Sequence, residues 1–324
     1  MQDSIEKTIE LKAPIERVWR ALTDEKLKKN LKKSFSHTNT SFTLRNVYSH
    51  LWSMERTHRF NQFCLNSSHA TLTKFLNERV TISNKVYWRE VHNFDGPVIF
   101  VTPHYGPFSI GCLKAILDMG ATRTINAFYD PPQKNSTNAI YKDVLGSLGS
   151  GFNPIFNDKR GLVSAIKRLK NNEIVTMMPD VFDLSGQSIS VPFFGHFASA
   201  MAGTAFLTLK TNALVLQAYC VPTASGGVHC LLDEPFRYVQ TNDFEQDIFE
   251  LTSILFKSIE QQIRKAPEHW VYLRQLNERL GLPLPQNQGF ENSRGKISAV
   301  ANSLNIDTNY ISNVIQAYSK NEFL

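Results

Sequence analysis

The sequence predicts an α/β fold: a mostly parallel central sheet flanked by helices, with small additions at both ends. Two observations carry this prediction. From residue 98 to residue 264, short apolar, β-branched runs alternate with amphipathic stretches of helical period. That alternation implies parallel strands joined by crossover helices on both faces of one sheet. The composition fits as well, with 324 residues, 42% hydrophobic and 20% charged, enough for a full-sized core.

Residues 5–11 alternate apolar and polar like a half-buried strand, and residues 13–24 follow as an amphipathic helix opened by Pro14. Residues 26–33 place five lysines around Leu27 and Leu31, with Phe35 next. An apolar stripe in a basic helix suits an interfacial membrane segment, and it equally suits a solvated basic face. Residues 42–80 are helical in character, with Trp52, Phe60, Phe63, Leu72 and Phe75 as core candidates. His50, His58 and His69 lie among them without metal-ligand spacing and read as structural or exposed.

The alternating region starts with the buried strand 98–102, followed by a turn and a helix over 110–119. Strands are predicted at 123–128, 154–156, 173–178, 213–221 and 228–232. Helices are predicted at 139–148, 161–170, 198–210 and 244–264. Residues 181–190 form a polar loop closed by 191–195. Beyond a linker around 282–289, residues 296–318 carry the pattern of two short helices. Their second helix, 308–317, lacks basic residues, so a docking tail is a better reading than a DNA-binding unit. The division is 1–35 (strand, helix and basic segment), 36–285 (main domain) and 286–324 (linker and tail).

Four widely spaced cysteines with no CxxC pair argue against a zinc site or a disulfide framework. A net charge of +6 and a pI near 9.0 favour an anionic partner. No apolar run approaches the roughly 18 residues needed to span a bilayer, and the charged N-terminus does not read as a secretory signal.

The candidate site centres on His104, at the carboxyl end of the first strand, where open α/β sheets bind ligands. A histidine in such a turn can present one ring nitrogen to a cleft. Asp180 follows Pro179 at the end of the strand predicted at 173–178 and serves as a carboxylate or as a turn cap.

Several blocks in order resemble a known family. His104, Tyr105, Gly106, Pro107, Phe108 and Ser109 are similar to its H-x4-[D/E] block. The helix at 161–170, Pro179 with Asp180, and Phe193, Phe194 and Gly195 resemble its second and third blocks. Ala266, Pro267, Glu268, His269 and Trp270 resemble its closing A-P-E-x-W segment. Across residues 40–280 the chain thus resembles the lipid A biosynthesis (lauroyl/myristoyl) acyltransferases of the lysophospholipid acyltransferase superfamily. Residues 1–26 faintly resemble the start of a START-like domain of the Hsp90 ATPase activator type.

The main resemblance implies acyl transfer from an acyl carrier protein or acyl-CoA thioester to a hydroxyl or amine of a lipid or glycolipid. It implies His104 as general base and no metal or bound cofactor. It also implies peripheral contact with the cytoplasmic face of an inner membrane, and no nucleic acid. The cation at Lys159 or Arg160, where the family carries a basic residue, suits a phosphate or is a surface charge with no ligand, and Phe193, Phe194 and Gly195 suit the wall of an acyl channel or a packed core.

One departure stands out: the position of the family's acid is Ser109. Serine offers the ring a hydrogen bond but no charge. Either another carboxylate orients His104, with Asp180 nearest by topology, or the acceptor is an easier nucleophile. The third reading is a catalytically impaired relative that binds lipid or acyl carrier protein.

Overall fold

A computed structural model of the chain describes residues 24–40, 42–129, 151–156, 160–181, 189–276 and 280. The strand and helix expected before residue 24, the helix at 139–148, Lys159 and the C-terminal tail lie outside the described residues.

Before the central strand come α1 (Glu25–His37), α2 (Leu44–Asn66), α3 (His69–Glu78), β1 (Val80–Ile82) and α4 (Lys85–Asn93). Then follow β2 (Val98–Val101), α5 (Phe108–Met119), β3 (Ile125–Tyr129), β4 (Phe152–Phe156), α6 (Gly161–Lys170) and β5 (Ile174–Met177). The chain continues through β6 (Ile189–Phe193), β7 (His196–Ala200), α7 (Gly203–Thr211), β8 (Leu214–Pro222), β9 (Val228–Leu232) and α8 (Phe244–Lys265). Two 3-10 turns, Pro267–His269 and Leu273–Gln275, close it.

Seven strands form one sheet in the order β1-β9-β8-β2-β5-β3-β4. The pairs β2–β5, β2–β8, β3–β5, β3–β4 and β1–β9 are parallel, as the alternating pattern predicts. The pair β8–β9 is antiparallel. Residues 223–227 are too short for a parallel crossover, which needs a dozen residues or more, so β9 folds back as a hairpin.

The central strand shows why its residues are apolar at every position. Val98 and Phe100 pack with Ile110, Leu113, Ile116 and Met119 of α5 on one face. Ile99 and Val101 pack on the other face with residues of α6, α7 and α8, among them Leu169, Leu207 and Leu255. Each such side chain contributes roughly 1.5–3 kcal/mol of burial. A strand covered on both faces cannot alternate with polar residues.

Two expectations need correction. Residues 198–200, expected to open a helix, instead pair with β6 as part of the antiparallel strand His196–Ala200, and the helix begins only at Gly203. Ala198 and Ala200 are buried while Ser199 between them is half-buried, a period of two rather than 3.6. The apolar stripe of the lysine-rich helix α1 is not offered to a membrane either. Leu31 and Phe35 are fully buried in the cluster that also holds Trp270 and Leu273. The helix itself spans Glu25–His37.

Candidate active site

The parallel pair β2–β5 builds the site. Val101 lies opposite Met177 in register, and His104 and Asp180 each follow three residues beyond. Thr102 N–H donates to the carbonyl of Met177 at 2.9 Å, which carries the pairing past the strand ends. Two short extensions from neighbouring strands therefore bring a histidine and a carboxylate face to face.

The His104 ring Nδ1 lies 2.9 Å from Asp180 Oδ1. Asp180 Oδ2 accepts the His104 backbone N–H at 2.9 Å and the Trp270 indole N–H at 3.0 Å. Asp180 is fully buried, whereas the His104 side chain keeps 20% of its surface exposed. A buried carboxylate holding three N–H groups is an acceptor, so Nδ1 carries the ring proton and Nε2 keeps its unshared pair. No described residue hydrogen-bonds Nε2. The rings of Phe108 and Tyr272 meet the imidazole edge-on, with centroids 5.0 and 5.1 Å away. They fix the ring plane without touching its proton.

The turn after His104 is held from the far end of the chain. Gly106 has φ +56°, and a Cβ there would stand 2.0 Å from the carbonyl oxygen of Cys220, so only glycine fits. Tyr105 and Trp270 form an isolated antiparallel bridge. Around it, Gly106 N–H donates to His269 O at 2.8 Å and Val271 N–H donates to His104 O at 2.9 Å. The Tyr105 hydroxyl, fully buried with its ring, donates to Ala266 O at 2.7 Å. Residues 266–271 thus form a strap across the histidine turn.

Ser109 does not face the histidine. Its hydroxyl donates to Asn61 Oδ1 of α2 at 2.6 Å. Asp180, not Ser109, is the side chain that meets Nδ1 of the His104 ring. Phe193 is fully buried and packs its ring against Phe256 and Trp270, at 5.2 and 5.9 Å. Phe194 and Gly195 form the two-residue loop of the β6–β7 hairpin, with φ of 52° and 73°, as a type I′ turn requires. The Glu260 carboxylate accepts the Phe194 N–H, and the Arg264 guanidinium lies over its ring. Phe193 therefore backs the tryptophan that holds Asp180, and Phe194 is 3% exposed in the same cluster. Arg160 is exposed and precedes the first turn of α6.

The sequence reading missed what Trp270, His50 and Ser53 do. A buried tryptophan must find an acceptor for its N–H, and that rule pointed to a partner for Trp270 without naming it. His50 and Ser53 reach the strap from α2, across more than 200 positions of the chain, which no local pattern announces.

Among the described residues, no group of three or more His, Cys, Asp or Glu is placed to hold a metal ion. Among them, too, no helix is long and apolar enough to cross a membrane. No curated protein matches the chain. Residues 60–278 match the family described as bacterial lipid A biosynthesis acyltransferase, a span that contains His104, Asp180 and Trp270. The chain belongs to that family.

Proposed function

We propose that this member of the bacterial lipid A biosynthesis acyltransferases transfers a fatty acyl group from a thioester to a lipid or glycolipid acceptor. The donor is acyl carrier protein or coenzyme A charged with the acyl chain. The acceptor presents a hydroxyl or an amine. Family membership supports acyl transfer in general, and the paired geometry of His104 and Asp180 supports this chemistry at this place.

The reaction follows from the ring's tautomer. Nε2 takes the proton of the acceptor O–H or N–H as that atom attacks the thioester carbonyl. The imidazolium that forms keeps its Nδ1–H on the Asp180 carboxylate, which offsets the new charge. Collapse of the tetrahedral intermediate breaks the C–S bond, and the departing sulfur takes the proton back from Nε2. The products are an ester or amide and a free thiol, with the histidine restored. A positioned base of this kind contributes about 10²- to 10⁴-fold in rate.

Arg160, or Lys159 beside it, supplies a cation for a phosphate of the donor or the glycolipid. Phe193 and Phe194, buried in the cluster around Trp270, back the region that takes the acyl chain and do not line it. The protein works from the surface of the inner membrane, on its cytoplasmic side, held there by basic residues.

The reading is carried by one observation, the 2.9 Å contact between His104 Nδ1 and the buried Asp180. Its test is product formation from acyl carrier protein and acyl-CoA donors with a bacterial membrane lipid extract, followed by mass spectrometry of the lipids. A lipid heavier by one acyl residue, absent with His104→Ala, is the expected result. An unchanged lipid profile with every donor favours the binding protein that has lost its chemistry.

A further inference from the structure

The strap that covers the histidine turn is tied on two sides, and only one side belongs to the active site. On the inner side lie the contacts to His104 O, Gly106 N, the Tyr105 hydroxyl and Asp180 Oδ2. On the outer side, α2 packs directly on the Pro267–His269 turn. His50 Nδ1 lies 3.0 Å from Glu268 O, and Ser53 Oγ lies 2.7 Å from His269 Nδ1. His50 and Ser53 stand three residues apart, on one face of α2.

His50 is a costly residue for its place. It is fully buried, and among the described residues its Nε2 has no hydrogen-bond partner. A carbonyl oxygen only accepts, so Nδ1 must carry the proton and Nε2 is left as a bare, desolvated acceptor. Packing alone would be better served by an apolar side chain. What the ring provides is one N–H aimed at the carbonyl of Glu268.

We propose that His50 is a positioning residue for the reaction at His104, acting through residues 268–271. The inference rests on the acyl-transfer reading given above. The peptide that His50 holds lies next to His269 O, which takes the Gly106 N–H, and two residues from the Trp270 indole on Asp180. A shift of the 268–269 peptide is passed to both sides of the dyad at once. Misplacement by about 1 Å far from the chemistry costs up to about 10²-fold in rate.

The test uses the full chain and four substitutions, at His50, Ser53 and His104. His50→Leu removes the donor and keeps an apolar body of similar size. His50→Asn places an amide N–H near the position of Nδ1. Thioester consumption should show kcat down about ten- to hundredfold for His50→Leu with KM within about threefold, and recovery to within about fivefold for His50→Asn. The ¹⁵N spectrum of histidine-labelled protein gives a readout independent of turnover, with the His104 signals identified by their loss in His104→Ala. The Nδ1–H signature of His104 should broaden or shift in His50→Leu and return in His50→Asn. If His50→Leu does not fold, as judged by circular dichroism, Ser53→Ala cuts the neighbouring tie and should give the same pattern, weaker.

Wild-type kcat together with an unchanged His104 spectrum in the variant that folds overturns the proposal. Equal loss in His50→Leu and His50→Asn, matched only by a lower melting temperature, also overturns it, because that marks a structural role. The general-base reading fails separately, when His104→Ala keeps turnover. In that case the coupling of His50 to the His104 spectrum still decides whether the strap positions the ring.

Discussion

Replacing Asp180 by asparagine exchanges one carboxylate oxygen for an NH₂ group and should remove nearly all activity. Oδ2 accepts two N–H groups, from His104 N at 2.9 Å and from Trp270 Nε1 at 3.0 Å. An asparagine must place its carbonyl oxygen there, because an amide NH₂ cannot accept. Its NH₂ group then points at His104 Nδ1, which has to become the acceptor. The ring proton moves to Nε2, and the nitrogen that should take the acceptor's proton is already occupied. The same swap of tautomer in a serine protease triad costs about 10⁴ in kcat. That corresponds to about 5 kcal/mol of barrier at 1.36 kcal/mol per decade. Every heavy-atom contact survives, so the urea midpoint should stay close to wild type and KM should change little. Initial rates of thioester consumption with a membrane lipid extract measure the effect. If Asp180→Asn retains more than about a tenth of wild-type kcat, the tautomer argument is refuted.

Trp270→Phe removes one of the two donors on Oδ2 while keeping the ring, and kcat should fall about ten- to hundredfold with the fold intact, as circular dichroism would check. Gly106→Ala forces a Cβ toward Cys220 O at 2.0 Å and a positive φ, so chemical denaturation should show a loss of at least about 2 kcal/mol. Ser109→Ala cuts a hydrogen bond to Asn61 and none to His104, so kcat should stay within about threefold of wild type. Burial pushes the His50 ring down to about 4 from its ordinary 6.5. Between those values the unfolded chain binds the proton and the folded one does not, so stability falls as pH drops from 6.5 toward 4. The loss is on the order of 3 kcal/mol, and His50→Leu should remove that part of the acid-side slope in urea titrations at pH 4.5 and 7.

The parallel sheet was legible because buried strands are apolar throughout and crossover helices keep a 3.6 period, as residues 98–119 and 161–177 show. The hairpin β6–β7 was not, since residues 196–200 mix small apolar and polar residues that suit a tight helix as well as a strand. His104 was legible from its place at a strand end, and Asp180 from the next strand's end. What joined them was a register, Val101 opposite Met177, which fixes equal extensions on neighbouring strands. Trp270 belonged to a recognised block, but its indole partner lies 90 positions away. The role of His50 was hidden for the same reason: a long-range hydrogen bond to a backbone carbonyl leaves no spacing to read. Leu31 and Phe35 looked available to a membrane because the cluster that buries them is built from distant residues, among them Trp270, Leu273 and Leu276.

The measurement that bears most directly on the proposed chemistry is the initial rate of thioester consumption by wild type and His104→Ala, with acyl carrier protein and acyl-CoA donors and a membrane lipid extract as acceptor. Wild-type turnover that falls at least about 10³-fold in His104→Ala is the predicted result. Turnover that survives the substitution, or a wild type inactive with both donors, would contradict a general base at His104.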